Sequence, residues 1–200
     1  MSSNYDPEDT LGAAEFYQRG KNLERAHELL TRIADQDQNN LRAFFTLGAV
    51  LERQKKFDEA ERAFRRALVI SPDSAITLNY LGYMNADRNV KVEEALSFVQ
   101  KALTKDPENG SYLDSLAWAL YRLGRHEEAE DAIRKALKDQ EKNAVVISHL
   151  GLILAERGDP EEALKYLRLS LDAEDEVCDL DRALVLEKIR VLSQAAQKKP

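Results

Sequence analysis

Apolar and small residues recur along this chain at the spacing of amphipathic helices, and the whole pattern repeats about every 34 residues. In the second repeat the residues Phe44, Leu47, Gly48 and Leu51 fall at i, i+3, i+4 and i+7, the spacing of one helix face. One small residue recurs in the first half of each unit after 34, 34, 35 and 34 residues: Ala14, Gly48, Gly82, Ala117 and Gly151. Another recurs in the second half after 34, 35, 34 and 34 residues: Ala26, Ala60, Ala95, Ala129 and Ala163. Self-similarity at this period predicts tandem helical hairpins.

The pattern divides the chain into about five hairpins and a terminal helix. The predicted hairpins span residues 7–40, 41–74, 75–109, 110–143 and 144–175, after an N-terminal tail of residues 1–6. Residues 176–200 lose the period, and we expect them to form a helix that caps the open end of the stack and a disordered tail. The extra residue of the third hairpin falls in ADRNVKVEE. A longer turn is expected there.

Composition and charge narrow the classes of function. Charged residues make up 32% of the chain and hydrophobic residues 44%, which suits amphipathic helices with solvated outer faces. A net charge of -7 argues against non-specific binding to nucleic acid or anionic membranes, because both depend on Lys and Arg. No stretch approaches the roughly 18 apolar residues of a membrane span, so we expect no direct membrane insertion by this segment.

The start of the chain leaves the compartment open. MSSNYDPEDT lacks the basic start and apolar core of an export signal. Two alternatives remain: a periplasmic or outer-membrane-associated location if a signal has been removed, and a cytoplasmic one otherwise.

Candidate chemistry is sparse. His27, His126 and His149 fall on three different repeats without a second ligand at metal spacing, and we interpret them as surface or half-buried imidazoles. Asp114, Ser115 and His149 are the residue types of a catalytic triad, but nothing in the sequence indicates the required geometry. No Gly-rich phosphate loop, nucleophile elbow or Cys-His cluster occurs. The sequence therefore predicts no enzyme activity, no metal site and no cofactor.

The repeated order of an aromatic residue or Leu, Leu-Gly, a later Ala, an aromatic and Pro resembles the tetratricopeptide repeat over about Pro7 to Asp175. LNYLGYMNADR, VEEALSFVQKAL and NGSYLDSLAWALYRLGRHEEAE are similar to the carboxy-terminal repeats of bacterial proteins of this family, many of them exported lipoproteins and some similar to adaptors that gather proteases or assembly factors. The resemblance implies an all-α, right-handed superhelical solenoid. It also implies a non-catalytic scaffold or adaptor that binds another protein in a bacterial complex.

A second stripe on the first helix of each hairpin predicts where such a partner binds. In the fourth hairpin Asp114, Trp118 and Tyr121 form a stripe separate from the buried one, which we expect to face a concave groove. Trp, Tyr and Arg are common anchors of interfaces, so a peptide segment or helix of a partner is expected to dock there. The candidate partner-binding residues are Phe45, Arg53, Asn79, Tyr83, Asp114, Trp118, Tyr121, Arg122, Ser148 and Leu152.

Several alternatives stay open. In the first alternative, Tyr83, Trp118 and Tyr121 pack against one another or against a neighbouring helix. In the second, the last helix of the chain or a second copy of the chain fills the concave surface. In a third, the chain self-associates as a structural assembly element. One family specialisation is not expected, the cationic clamp for chaperone tails. The corresponding positions hold Phe45, Ala49, Tyr80, Ser111 and Ser115, or Asn79, Tyr83, Ser115, Val145 and His149.

Overall fold

The computed structural model describes residues 7–20, 22–173 and 180–197, and the regular structure in these ranges is entirely α-helical. The helices are α1 Pro7–Arg19, α2 Leu23–Gln36, α3 Leu41–Arg53, α4 Phe57–Ile70, α5 Ala75–Asp87, α6 Val92–Leu103, α7 Gly110–Arg122, α8 His126–Asp139, α9 Ala144–Arg157, α10 Pro160–Asp172 and α11 Arg182–Gln197. The all-α prediction is therefore confirmed. The tail predicted for residues 1–6 and the last three residues of the predicted disordered end lie outside the described residues, and the predicted domain limits stay a prediction.

The chain divides into two compact units, Met1–Met84 and Asn85–Pro200. In the first unit α1 packs against α2, α2 against α3, and α3 against α4. In the second unit the packing runs from α6 through α10 in the same successive way, and α11 packs on α10 and also touches α9. Within each unit a helix thus contacts its own hairpin partner and the next hairpin, as expected of tandem repeats.

The small residues of the repeat allow close approach within a hairpin. A Cβ atom on Gly48 would lie 2.6 Å from Cε1 of Phe64 on α4, and one on Gly151 would lie 2.7 Å from Cγ of Leu167 on α10. Both distances are far inside van der Waals contact. Glycine is therefore required at these positions by the packing of α3 on α4 and of α9 on α10.

Asparagine caps the first helix of three hairpins. The side-chain Oδ1 of Asn40 accepts a hydrogen bond from the backbone N–H of Ala43 at 3.0 Å, and Asn109 and Asn143 do the same for α7 and α9. Each cap satisfies a helix N–H that has no partner in the helix and contributes about 1 kcal/mol. The turn before each of these helices is thereby fixed.

The turns inside the hairpins share a left-handed residue. It stands seven positions after the small residue of the first helix, with φ of 61° at Lys55, 55° at Asn89, 73° at Gly124 and 89° at Gly158. The turn of the third hairpin occupies residues 88–91, against 54–56 and 123–125 in its neighbours, so the expected longer turn is confirmed. None of the helices in the described ranges has the length and hydropathy needed to cross a bilayer.

Candidate functional site

Trp118, at the centre of the predicted groove, is a packed residue. Only 3% of its surface is exposed. Its ring stacks on those of Tyr121, at 4.9 Å between centroids, and His149, at 4.0 Å, and the guanidinium carbon of Arg122 lies 4.8 Å from its centroid. Trp118 therefore packs against neighbouring side chains, which was one of the alternatives to a groove-facing position.

Asp87, the last residue of α5, connects the C-terminal end of α5 to Trp118 and Arg122 through two hydrogen bonds. The indole Nε1 of Trp118 donates a hydrogen bond to Oδ1 of Asp87 at 3.2 Å, and Nη2 of Arg122 donates to its backbone carbonyl at 2.7 Å. A cation at a helix C-terminus complements the helix dipole and binds a carbonyl that lacks a partner in the helix. The polar edge of Trp118 is thus satisfied within the chain.

His149 is buried, which corrects the expectation that it is a surface or half-buried imidazole. Its Nδ1 lies 2.7 Å from Oδ1 of Asp114, which is also buried. The two residues stand 35 positions apart, one more than the repeat length. That spacing is the only signal in the sequence by which the pair could have been found.

The Asp114–His149 pair is not extended into a triad. The Oγ of Ser115 donates its hydrogen bond to the backbone carbonyl of Ser111 at 3.0 Å, so its proton is not directed at the imidazole as a nucleophile would require. No group of three or more His, Cys, Asp or Glu side chains able to hold a metal occurs in the described part of the chain. The Asp114–His149 contact therefore joins α7 to α9.

The remaining candidate residues of the second unit differ in how much of their surface is exposed. Ser148 and Leu152 are buried, and the Ser148 hydroxyl donates to the carbonyl of Val145 at 2.8 Å. Tyr121 and Arg122 are half-buried. Burial raises the pKa of the Tyr121 hydroxyl, and the carboxylate of Glu156 raises it further. Tyr121 is a neutral donor and acceptor at neutral pH.

The terminal helix reaches the edge of this cluster. Nζ of Lys188 on α11 lies 2.6 Å from a carboxylate oxygen of Glu156 on α9, and the charge of Lys188 lowers the pKa of Tyr121. The accessible edge of the second unit therefore combines a phenol, a guanidinium and a Lys–Glu ion pair.

The candidates of the first unit lie beside an exposed apolar surface. Phe45 is half-buried, and its ring contacts those of the buried Phe64, at 6.0 Å between centroids, and of Tyr80, at 5.1 Å. Tyr80 and Ile76 are exposed large apolar residues one turn apart on α5, and Tyr83 is half-buried. Sequence analysis did not single out Ile76 as a contact residue, although its i, i+4 spacing from Tyr80 was visible.

Arg53 and Asn79 complete the candidate set. Arg53 is exposed, and its Nη1 donates to the backbone carbonyl of Gln18 near the end of α1 at 3.1 Å, across 35 residues. Arg122 makes the same contact across the same interval to Asp87. Asn79 is buried, and its Oδ1 has no hydrogen-bond partner among the described residues. Each arginine thus links two consecutive first helices.

Burial divides the ten candidates into two groups. The buried ones are Asn79, Asp114, Trp118, Ser148 and Leu152, and those with accessible surface are Phe45, Arg53, Tyr83, Tyr121 and Arg122. A direct contact with a partner needs accessible surface. In the first unit Phe45, Arg53 and Tyr83, with Ile76 and Tyr80, have such surface, and in the second unit Tyr121 and Arg122 have it.

Comparison with known proteins identifies the repeats as tetratricopeptide repeats. The sequence model of the tetratricopeptide repeat matches residues 11–75, 57–110, 84–144 and 115–176. The TPR repeat-containing protein PA4667 of Pseudomonas aeruginosa is 30% identical over 112 residues, which are 56% of this chain and 19% of that protein. The chain thus spans about a fifth of the length of this relative.

Solved structures share the fold. PilW, described as a widely conserved type IV pilus biogenesis factor, superposes with a TM-score of 0.80 at 24% identity, covering 98% of this chain and 89% of PilW. YrrB, described as a TPR protein with an unusual peptide-binding site, superposes with a TM-score of 0.66 at 18% identity, covering 97% of this chain and 93% of YrrB. These likenesses, at low sequence identity, confirm the solenoid fold.

Proposed function

Because this chain belongs to the tetratricopeptide-repeat family, whose members generally serve as non-catalytic interaction scaffolds, we propose that it is an adaptor that binds a peptide segment or helix of another protein in a bacterial complex. Each of the two units has a proposed binding surface, formed by the accessible residues of its first helices. The observation that carries the proposal is the exposed apolar pair Ile76 and Tyr80 beside the half-buried Phe45. Exposed aromatic and aliphatic side chains in contact with each other are typical of interaction sites.

In the first unit this surface suits an apolar anchor of the partner. Tyr80 meets Phe45 edge to face, with an interplanar angle of 85°, so an incoming side chain can contact one ring face and one ring edge. Phe64 is fully buried and packs against both rings, which holds them in place. A rigid aromatic surface loses little conformational entropy on binding.

In the second unit the proposed contacts are polar. Tyr121 and Arg122 are held by stacking against the buried Trp118, so the buried candidates act by positioning the accessible ones. Both side chains can hydrogen-bond to the backbone or to a carboxylate of a bound peptide. The description of YrrB as a peptide-binding protein of the same fold supports a peptide as the class of ligand.

A capture experiment with matched variants tests the proposal. The native chain, an Ile76→Ala/Tyr80→Ala variant and a Val69→Ala control are immobilised and exposed to an extract of the source cells that includes the cell envelope. Val69 is an exposed apolar residue of similar kind on a second helix. The captured protein is then purified and its affinity for each variant measured by calorimetry.

We expect the double variant to lose at least tenfold in affinity and the Val69→Ala control to match the native chain. Circular dichroism of each variant establishes that it is folded. Equal affinity of all three chains would exclude the first-unit surface, and a Tyr121→Ala variant then tests the second unit. If that variant also binds as the native chain does, the proposed first-helix surface is wrong.

A further inference from the structure

A buried amide without hydrogen bonds stands in α5 at the boundary between the two compact units. The helix runs from Ala75 to Asp87, whereas the first unit ends at Met84 and the second begins at Asn85. Asn85 is fully buried, and neither its Nδ2 nor its Oδ1 has a hydrogen-bond partner among the described residues. Such an amide loses its hydrogen bonds to water on folding and gains none in return. Folding of α5 is therefore opposed at this residue.

Three other hairpins have leucine at the corresponding place. Asn85 stands three residues after Gly82, as Leu51, Leu120 and Leu154 stand three residues after the small residue of their own helices. These leucines are at most 4% exposed, so each stabilises its hairpin by burying apolar surface. Asn85 puts a cost in the place of that contribution. The third hairpin is thereby weaker than these three at the same position.

The turn that follows α5 adds backbone strain. It has two left-handed residues, with φ of 55° at Asn89 and 49° at Lys91. The turns after α3, α7 and α9 each have one such residue in the described chain, at Lys55, Gly124 and Gly158. A left-handed backbone is costly for a residue with a Cβ atom and is tolerated by glycine. The third hairpin thus carries strain in its turn as well as an unpaired amide in its first helix.

The sequence of α5 also gives the helix little stability of its own at the boundary. Asn79, Gly82 and Asn85 recur at every third position of the helix, and both residue types have low helix propensity. Asparagine side chains also compete with the helix for backbone hydrogen bonds. Interrupting α5 between Gly82 and Asn85 therefore costs less than interrupting a helix of good helix formers.

We propose that the two compact units unfold and refold in separate cooperative steps, with α5 opening at Asn85 between them. In a tandem array a repeat is stabilised by its own contacts and by its neighbours, so a weak repeat divides the cooperativity. Opening at this point leaves each unit two packed hairpins, α1–α2 and α3–α4 in the first and α7–α8 and α9–α10 in the second. The unit that carries Ile76 and Tyr80 can then open while the other stays folded. Segments that change conformation are drawn from the least stable parts of a protein.

The single tryptophan of the chain makes the two units distinguishable in one experiment. Trp118 is buried in the second unit, so its fluorescence follows the unfolding of that unit, whereas far-ultraviolet circular dichroism follows all helices. Both signals are recorded during urea unfolding of the native chain and of two variants. Leu51→Asn places an amide in the core of the first unit, and Leu154→Asn places one at the equivalent position of the second.

Separate steps require that each substitution act on its own unit alone. For Leu51→Asn we expect the fluorescence midpoint of Trp118 to stay at its native value while part of the circular dichroism change moves to lower urea. For Leu154→Asn the fluorescence midpoint should fall and the remaining circular dichroism change should stay where it was. If Leu51→Asn unfolds the first unit even without urea, a native Trp118 midpoint still supports the proposal. A Trp118 midpoint that falls with Leu51→Asn would overturn it, because the chain would then unfold as one unit.

Asn85→Leu tests where the chain divides. It restores the leucine of the other hairpins, so in this background Leu51→Asn should now lower the Trp118 midpoint. Asn79→Leu is the matched control, because Asn79 is also a buried asparagine of α5 but lies within the first unit; with it, the Trp118 midpoint should remain insensitive to Leu51→Asn. Hydrogen exchange gives a second measurement: backbone amides of residues 80–87 should exchange at least tenfold faster than those in the middle of α3 and α9, and Asn85→Leu should slow them.

Two results would show that the chain does not divide at Asn85 and would overturn the proposal. One is equal exchange of α5, α3 and α9, and the other is a Trp118 midpoint that ignores Leu51→Asn in the Asn85→Leu background. These measurements contain no partner protein, so their outcome is independent of the proposed adaptor function.

Discussion

Nδ1 of His149 and Oδ1 of Asp114 lie 2.7 Å apart in a buried contact between α9 and α7. The contact joins the first helices of two consecutive hairpins, in the region where α7 and α9 touch. A polar pair in such a place favours one position of a hairpin on the next, because a shift would break a buried hydrogen bond.

Asp114→Ala is therefore expected to lower the free energy of unfolding by about 1–3 kcal/mol, the cost of a buried polar group that has lost its partner. His149→Ala should cost a similar amount, and the double variant should cost clearly less than the sum, since the two changes remove one contact. Urea unfolding followed by circular dichroism measures all three. Asp131→Ala, at an exposed site on α8, is the control. Additive losses would show that the two side chains do not interact.

Trp118→Ala is expected to cost about 3–5 kcal/mol, because the ring is buried and its removal leaves a cavity. Its neighbour Tyr121 is half-buried, so Tyr121→Ala should cost less. Thermal unfolding of the two variants gives the comparison. A Trp118→Ala chain as stable as the native one would mean that the indole faces a partner after all.

Alanine at two glycines of first helices should change stability in opposite directions. Gly48→Ala forces a methyl group to within 2.6 Å of the buried Phe64 ring, and overpacking of this kind costs about 1–3 kcal/mol. Gly12→Ala meets no atom within 4 Å and should stabilise α1 by about 0.5–1 kcal/mol, the propensity difference between the two residues in a helix. A urea midpoint of Gly48→Ala at or above that of the native chain would contradict the packing of α3 on α4, and a lower midpoint of Gly12→Ala would contradict the open space at Gly12.

Lys55→Gly is expected to stabilise the chain. Lys55 has a φ of 61°, where the fourth and fifth hairpins have Gly124 and Gly158. A left-handed backbone costs a residue with a side chain roughly 1–2 kcal/mol, part of which is offset by the greater freedom of glycine in the unfolded chain. The expected gain is an increase of a few degrees in the melting temperature. Lys56→Gly, at the next and unstrained position, should lower it.

Much of the fold follows from the sequence because the repeat supplies the same information several times. The 34-residue spacing of Gly48 and Gly82 predicts helices that approach closely, and the single extra residue before Ala95 predicts the longer turn at 88–91. These are local features, decided within one hairpin. A short stretch of sequence is therefore enough to predict them.

The candidate site was harder to predict because it depends on contacts between hairpins. Trp118 has the spacing of a groove residue, but its burial depends on His149 and on Asp87, 31 residues before it. Asn85 offers a second case: it stands where other hairpins have Leu51, Leu120 and Leu154, is fully buried, and forms no side-chain hydrogen bond with any described residue. Periodicity gives the face of a helix but not what the neighbouring hairpin places against it.

The successive packing of the helices has a consequence for the order in which the chain is made. Within each compact unit, the described helices pack on the next helix or the next but one, as α1 does on α2 and α3, and α9 on α10 and α11. Contacts between segments close in sequence form quickly, because little loop-closure entropy is lost before they are made. Within each unit, a hairpin can thus assemble on its predecessor once its second helix has left the ribosome, while later hairpins are still being synthesised.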